Sequence, residues 1–225
     1  MTKPQDDRTE PRRAALQRVR LYVITDAQPR VRPVEAFLER VIQAGAGMIQ
    51  LREQHLEDGA LLHLARRCAQ VCRERGALFI VNDRVDIALG CEADGVHVGQ
   101  DDVPVADARR MLGSQRLIGL STHAPEQVDA AQQSGADYFA VGPVHATPTK
   151  PGRPAAGIAL VEYAAARARL PFFAIGGLEP SNIGEVFAAG GDRVCVLRCV
   201  CQSPQPELAV RTLLERFGEQ AAARL

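Results

Sequence analysis

The chain has 225 residues, 46% of them hydrophobic and 24% charged, which is the composition of a globular protein with enough apolar residues for one core. Its 27 basic and 27 acidic side chains cancel, so no general field attracts nucleic acid or an acidic membrane, and anion binding must be local. No apolar run approaches the roughly 20 residues of a membrane-spanning helix. Residues 1–20 are polar and lack the apolar stretch of a secretory signal, so we expect a cytoplasmic protein.

Eight short apolar runs along the chain predict strands buried on both faces, as in a parallel sheet. Most of them follow a glycine or an Ala-Asp step, which suits the end of a preceding helix, and lead into polar or glycine residues. In chain order the runs cover residues 21–25, 48–52, 78–83, 96–99, 117–121, 138–142, 172–177 and 193–197. The stretches between them carry apolar residues at helical spacing, most clearly over 33–44, 61–75 and 208–217.

Alternating strands and helices predict a parallel α/β fold, either a barrel or an open doubly wound sheet. The open sheet would carry a Gly-x-Gly-x-x-Gly turn after the first strand, but residues 25–29 read Thr-Asp-Ala-Gln-Pro there. We therefore predict a single (β/α)₈ TIM barrel over residues 21–218. Residues 1–20 form a polar tail or an extra helix, and residues 219–225 form a short tail.

In such barrels the active site lies at the carboxyl ends of the strands. The residues predicted there combine carboxylates, cations, hydroxyls and paired glycines, which favours a phosphorylated ligand with a hard divalent metal. In strand order they are Gln50, Leu51, Arg52, Glu53 and Gln54; Asn82 and Asp83; Asp102; Ser121 and His123; Thr147, Pro148, Thr149 and Lys150; Gly176 and Gly177; Leu197 and Arg198.

Each of these residues also has a purely structural interpretation. Asp83 and Asp102 both precede helices, where an aspartate commonly caps the first amides. His97 lies inside a strand and is typical of a hydrogen-bonded structural histidine. Lys150 is more distinctive, because the only other lysine is Lys3 against 25 arginines. The functional interpretation depends on several strand ends carrying the same kind of chemistry.

The six cysteines allow a second metal hypothesis. Cys68 and Cys72 are one helical turn apart, and Cys199 and Cys201 are expected on one face of a strand. Two such pairs could form a four-thiolate zinc site. No Cys-x-x-Cys pair is present, so we favour small buried apolar residues instead.

Seven segments in this order resemble the thiamine-phosphate synthase family across residues 21 to about 217. They read LYVITD, MIQLREQ, FIVNDRVDIAL, ADGVHVGQDD, GLSTH, GADYFAVGPVHATPTKPGRP and FFAIGG. The resemblance implies a transferase of thiamine biosynthesis. It joins 4-amino-2-methyl-5-(diphosphooxymethyl)pyrimidine to 4-methyl-5-(2-phosphooxyethyl)thiazole, or its carboxylated form, through a pyrimidine cation. The products are thiamine phosphate and pyrophosphate.

The resemblance also implies roles for individual residues. Asp83 and Asp102 would hold Mg²⁺, and Gln50 would lie near the pyrimidine. Arg52, Asn82, Ser121 and Lys150 would bind the pyrophosphate, with Arg52, Ser121 and Lys150 counted as catalytic. Thr147 and Thr149 would lie near the thiazole phosphate, with backbone amides of Gly177, Leu197 and Arg198. Leu51, Glu53, Gln54 and Pro148 complete the expected substrate-binding set.

Two positions depart from the family pattern, which commonly has lysine in place of Gln54 and serine in place of Arg198. These changes bear on affinity and rate more than on the class of reaction. Two alternatives are a thiazole tautomerase, with His123 or His145 moving a proton, and a non-catalytic barrel that binds thiamine precursors. The partners expected are small phosphorylated molecules rather than nucleic acid or membrane, and a homo-oligomer is left open.

Overall fold

The computed structural model describes residues 9–147 and 154–223, and the side chains of residues 11–147 and 154–219. Pro148, Thr149 and Lys150, three of the expected substrate-binding residues, lie outside the described residues. Within the described ranges, no helix is long and apolar enough to cross a membrane.

Eight parallel strands close into a barrel in chain order, and the last pairs with the first. The strands are β1 (Leu21–Thr25), β2 (Met48–Leu51), β3 (Leu78–Asn82), β4 (Gly95–Val98), β5 (Leu117–Thr122), β6 (Tyr138–Val141), β7 (Phe172–Ile175) and β8 (Val194–Val196). The predicted (β/α)₈ TIM barrel is therefore confirmed, with each strand inside or within one residue of its predicted run.

The helices are α1 (Thr9–Arg18), α2 (Val34–Gln43), α3 (Asp58–Arg75), α4 (Val85–Gly90), α5 (Val105–Leu112), α6 (Pro125–Ala131), α7 (Ile158–Arg167), α8 (Ile183–Ala188), α9 (Arg198–Cys201) and α10 (Pro206–Ala223). Residues 1–20 thus contain a helix, and the last helix runs past residue 218. One expectation was wrong: Cys199 and Cys201 lie on α9 rather than on a strand, because β8 already ends at Val196.

Apolar spacing decides which face of a helix meets the barrel. In α2 the buried residues are Val34, Phe37, Leu38, Val41 and Ile42. Steps of three and four residues place them on one side of the helix, so burial of that stripe against the strands holds the helix in place. The outward side chains of the strands and the inward stripes of the helices form one continuous core.

A second apolar cluster fills the lumen of the barrel. Its members include Met48, Leu78, Ile80, Leu117, Phe173 and Cys195, together with two tyrosines, Tyr22 and Tyr138. Leu16 of α1 and the neighbouring Val19 belong to the same cluster and are buried. Because Val19 packs near Gly47, just before β2, α1 closes the amino-terminal end of the lumen.

Candidate active site

The described residues form a cavity of about 400 Å³ at the carboxyl ends of the strands, opposite α1. Of the expected substrate-binding residues, eight line it: Gln50, Arg52, Asn82, Ser121, Thr147, Gly177, Leu197 and Arg198. They come from six different strand ends, which the sequence separates by up to 148 positions. Closure of the barrel is what brings them together.

The end of β2 supplies an amide and a cation. Gln50 is only 2% exposed, and its Nε2 donates a hydrogen bond to the hydroxyl of Tyr22 at 2.5 Å. The backbone N–H of Arg52 donates to the carbonyl of Thr25 at 2.8 Å, which fixes the start of the loop. Among the described residues, the guanidinium of Arg52 makes neither a hydrogen bond nor an ion pair. A cation without a counter-charge on a cavity wall suits an anionic ligand.

Three expected residues of the same segment do not line the cavity. Leu51 points outward into the core under the helices. Glu53 accepts hydrogen bonds from the backbone N–H groups of Ala27 and His55, at 3.0 and 2.7 Å. Burial raises the pKa of the Glu53 carboxyl, but these amide donors outweigh it and lower the pKa overall. Glu53 therefore ties together the loops after β1 and β2, and Gln54 is exposed.

The two aspartates expected at the metal site follow β3 and β4, which are neighbours. Asp83 has a left-handed φ of 58°, its N–H donates to the carbonyl of His97 at 2.8 Å, and its Oδ2 accepts from Asn82 Nδ2. Asp102 Oδ2 accepts from the N–H of Gly99 at 2.7 Å. Neither aspartate is an N-cap residue, because α4 begins after Arg84 and α5 after Pro104.

These carboxylates match the ligands that Mg²⁺ prefers. Mg²⁺ takes hard oxygen ligands and usually keeps several waters, so one or two protein carboxylates are enough. Within the part of the chain that the structure describes, no group of three or more His, Cys, Asp or Glu residues is arranged to hold a metal ion. That rules out the four-thiolate zinc hypothesis, since all six cysteines are described and free.

The ends of β6, β7 and β8 form the other side of the cavity, through Thr147, Gly177, Leu197 and Arg198. Gly176 has a φ of 106°, and a Cβ there would lie 2.5 Å from Pro143 Cα, so only glycine allows the loops after β6 and β7 to pack this closely. Arg198, the first residue of α9, is exposed, and its guanidinium forms no ion pair with any described residue.

Sequence reasoning missed several residues of the cavity wall, including Tyr22, Cys199 and Glu179. Tyr22 could have been found from the alternation of strand side chains, because it lies two residues before the inward Ile24. Glu179 lies on the loop after β7 and Cys199 on the four-residue helix α9, and both are too short for periodicity to give a signal.

The two cysteines that line this cavity, Cys195 and Cys199, are not activated as thiolate nucleophiles. Burial, and then the nearby Glu179 carboxylate, raises the pKa of the Cys199 thiol to about 12. Burial likewise raises the pKa of Cys195 well above its ordinary value. Both thiols are therefore neutral near pH 7, and thiols are weak nucleophiles in that form. The cavity instead offers cations, amides and hydroxyls, which bind and stabilise anions.

Comparison with known proteins agrees with this chemistry. A family profile described as thiamine monophosphate synthase matches residues 21–200. The thiamine-phosphate synthase of Acidothermus cellulolyticus is 47% identical over 211 residues, which cover 93% of this chain and all of that protein. The thiamine-phosphate synthase of Nostoc sp. is 45% identical over 92% of this chain, but the match spans only 58% of that longer relative.

A solved structure shows the same architecture. The thiamine phosphate pyrophosphorylase of Pyrococcus furiosus superposes with a TM-score of 0.82 at 31% identity. The superposition covers 92% of this chain and 98% of that one.

Proposed function

The chain belongs to the thiamine monophosphate synthase family, and from that premise we propose that it joins a pyrimidine diphosphate to a thiazole phosphate. The C–O bond between the pyrimidine methylene and the diphosphate breaks, and both bonding electrons leave with pyrophosphate. The lone pair of the thiazole nitrogen then forms the new C–N bond. The products are thiamine phosphate and pyrophosphate.

One observation carries this proposal: two guanidinium groups line one cavity, and neither forms an ion pair with a described residue. Arg52 follows β2 and Arg198 begins α9 after β8, so they flank β1 on its two sides. The proposed reaction brings two phosphorylated substrates into one site, and two separate cations match two separate anions.

The chemical demand of the reaction is to stabilise a highly charged leaving group while a cation develops on the methylene carbon. Fixed donors aimed at the charge that develops are the most effective device for this. We assign that task to Arg52, Asn82, Ser121 and Lys150, with Gln50 binding the pyrimidine ring. No protein nucleophile is needed, which agrees with the neutral thiols of the cavity.

We assign Asp83 and Asp102 to Mg²⁺. Bound there, the ion would act as a Lewis acid and reduce the negative charge of the diphosphate. The hydrogen bond from Asn82 to Asp83 supports this assignment, because it links a carboxylate outside the cavity lining to an amide that lines it. Asp83→Asn and Asp102→Asn should each raise the Mg²⁺ concentration needed for half-maximal turnover, whereas Asp101→Asn, at the neighbouring exposed carboxylate, serves as the matched control.

We assign the opposite wall to the thiazole phosphate. Thr147 supplies a hydroxyl donor, and the backbone amides of Gly177, Leu197 and Arg198 supply N–H donors. We give Thr149, which lies outside the described residues, the same role as Thr147. The Arg198 guanidinium adds a charge that the serine common in the family lacks.

The test of this function is an assay with both phosphorylated precursors, with and without Mg²⁺, that follows pyrophosphate and thiamine phosphate. Magnesium-dependent release of both products supports the synthase. Binding without turnover would instead indicate a carrier, and isomerisation of a carboxylated thiazole phosphate would indicate a tautomerase.

Two single-lysine variants, one at the proposed site and one as a control, make the assay more specific. Lys150→Ala should lower turnover with saturating substrates about a hundredfold or more, because a lost donor of this kind raises the barrier by about 2.7–4 kcal/mol. Lys3→Ala, at the only other lysine of the chain, is the matched control and should leave turnover unchanged. Near wild-type turnover of Lys150→Ala would remove this side chain from the mechanism.

A further inference from the structure

A chain of five polar side chains crosses the lumen of the barrel beneath the cavity. Gln50 Nε2 lies 2.5 Å from the Tyr22 hydroxyl, which lies 3.2 Å from the Tyr138 hydroxyl. The Tyr138 hydroxyl lies 3.3 Å from Nδ1 of His97, whose Nε2 lies 3.0 Å from Ser121 Oγ. Each end of this lumen chain, Gln50 and Ser121, lines the cavity.

The middle of the lumen chain is enclosed by apolar groups. Tyr22 and Tyr138 are fully buried, and Phe173 contacts both rings edge-on at centroid distances of 5.4 and 5.7 Å. Burial raises the pKa of both hydroxyls well above their ordinary value, so both tyrosines are neutral. A buried neutral hydroxyl must place its hydrogen on an acceptor, because an unpaired polar group in an apolar setting is destabilising.

With the Gln50 amide nitrogen facing Tyr22, as in the structure, these constraints orient every hydrogen of the lumen chain. An amide nitrogen can only donate, so Gln50 Nε2 donates to Tyr22, and Tyr22 must then donate to Tyr138. Tyr138 in turn donates to His97 Nδ1. A neutral imidazole that accepts at Nδ1 carries its hydrogen on Nε2, and that N–H donates to Ser121 Oγ. The Ser121 hydroxyl hydrogen is thereby left to point at a ligand.

The reverse orientation also gives every buried hydroxyl an acceptor, but it exchanges the donor and acceptor roles of Gln50 and Ser121. If the Gln50 amide were turned over, Tyr22 would donate to its oxygen, and every later hydrogen bond would reverse. Ser121 would then donate to His97 Nε2 and present only lone pairs to the cavity. Lone pairs repel a phosphate oxygen, whereas a hydroxyl hydrogen binds it.

We propose that Tyr22, Tyr138 and His97 are positioning residues that hold the lumen chain in the first orientation. The Ser121 hydroxyl then donates to an anion while the Gln50 amide oxygen accepts from an amino group. Resting on the proposed function, this pairs the two ends of one substrate, an amino-substituted ring and its diphosphate, through a single set of hydrogen bonds. Recognition of one end by Gln50 favours recognition of the other by Ser121.

The glycine at position 119 gives independent support. Gly119 of β5 lies in register with His97 on one side and Tyr138 on the other. A Cβ at this position would lie 2.4 Å from His97 Nδ1 and 2.5 Å from the Tyr138 hydroxyl oxygen. Any larger residue would push these two groups apart, so the missing side chain makes room for their hydrogen bond.

The first test reads the imidazole hydrogen directly. In ¹⁵N-histidine-labelled protein with inorganic pyrophosphate, at about pH 8 where an ordinary imidazole is neutral, we expect His97 to carry its hydrogen on Nε2 alone. The signals are assigned by comparison with a His97→Asn variant. A hydrogen on Nδ1, alone or together with Nε2, would overturn the proposal.

The second test breaks the lumen chain without changing its shape. Tyr138→Phe should raise the KM for the pyrimidine diphosphate about three- to tenfold, as expected for one lost hydrogen bond. The KM for the thiazole phosphate should stay within about twofold. Tyr163→Phe removes a hydroxyl that donates to Asp129 on the outer surface, and it is the matched control.

The two tests separate this proposal from the function on which it rests. Equal changes in both KM values for Tyr138→Phe, or no change in either, would contradict the positioning role. If the wild-type protein released no thiamine phosphate, the proposed function would fail, and the His97 signals would still decide the orientation of the lumen chain.

Discussion

Arginines at the amino-terminal end of the barrel form ion pairs, whereas the two arginines of the cavity wall at the carboxyl end do not. At the amino-terminal end, Arg12 of α1 pairs with Asp94 at 2.8 Å. Arg13 and Arg109 share Asp137 at 2.9 and 2.6 Å. At the carboxyl end, Arg52 and Arg198 line the cavity with no ion pair to any described residue. The ion pairs of Arg12 and Arg13 join α1 to the barrel, whereas the two arginines of the cavity wall remain available to bind a ligand.

The paired end also fixes the backbone. Asp94 Oδ2 accepts from the N–H of Phe79 at 3.0 Å, and Asp137 Oδ2 accepts from the N–H of Ile118 at 2.8 Å. Each carboxylate therefore joins an arginine to the start of a strand. Charge at this end is part of the fold, so substitutions there should change stability and leave substrate binding intact.

The largest effect is expected at Asp137, whose side chain is 7% exposed. Asp137→Ala removes one acceptor from two guanidinium groups and the side-chain acceptor of a strand N–H, and it should lower the free energy of unfolding by about 3 kcal/mol. Urea denaturation measures this loss, and the folded variant should keep both KM values.

Asp129→Ala is the matched control for this substitution. Asp129 binds Tyr163 and Arg167 on the outer surface, where solvent screens the interaction, so the loss should be much smaller. A changed KM in Asp137→Ala, or equal losses of stability in the two variants, would contradict the claim that paired charges at the amino-terminal end serve stability alone.

Arg52→Gln probes the opposite end, where an effect of similar size is expected on the reaction barrier rather than on stability. Loss of the cation that we assign to the leaving group should raise the barrier by about 2.7–4 kcal/mol, which lowers turnover about a hundredfold or more. The free energy of unfolding should change by less than about 0.5 kcal/mol, because the guanidinium holds no other described residue. Arg40→Gln, on the outer face of α2, is the control. A destabilised but active Arg52→Gln would assign this arginine to the fold.

A smaller effect is expected at the other unpaired cation. Arg198→Ser should raise the KM for the thiazole phosphate about threefold at low ionic strength, because an exposed charge pair contributes less than about 1 kcal/mol. The difference should shrink as salt is added, since screening weakens exposed charges. A change only in the KM for the pyrimidine diphosphate would show that Arg198 acts on that substrate and not on the thiazole phosphate.

The smallest effect is expected from Gln54→Lys, which restores the charge that is common in the family. Gln54 is exposed and outside the cavity lining. The KM for the pyrimidine diphosphate should therefore fall by about twofold or less at low salt. A tenfold fall would show that this position reaches the diphosphate in the working enzyme.

The barrel was predictable because its strands are buried on both faces and read as continuous apolar runs. The first and last residues of the strands were harder to predict: the apolar run covers residues 193–197, but β8 contains only Val194–Val196. The error at Cys199 and Cys201 has the same origin. A short helix directly after a strand has too few residues to show a helical period.

A place on the cavity wall was predictable for residues that end or directly follow a strand, as at Arg52, Asn82 and Ser121. It was not predictable where a side chain turns away from the cavity. Glu53, one of the expected substrate-binding residues, lies outside the cavity lining and accepts two backbone N–H groups, a local contact that no spacing rule reveals. The lumen chain escaped notice because its members are far apart in sequence and meet only when the barrel closes.

Leu16 and Val19 close one end of the lumen, which limits how substrates and products can reach and leave the cavity. Because these residues close the amino-terminal end of the lumen, substrates must enter and products must leave at the carboxyl ends of the strands. Product-inhibition patterns would show whether the two products leave in a fixed order.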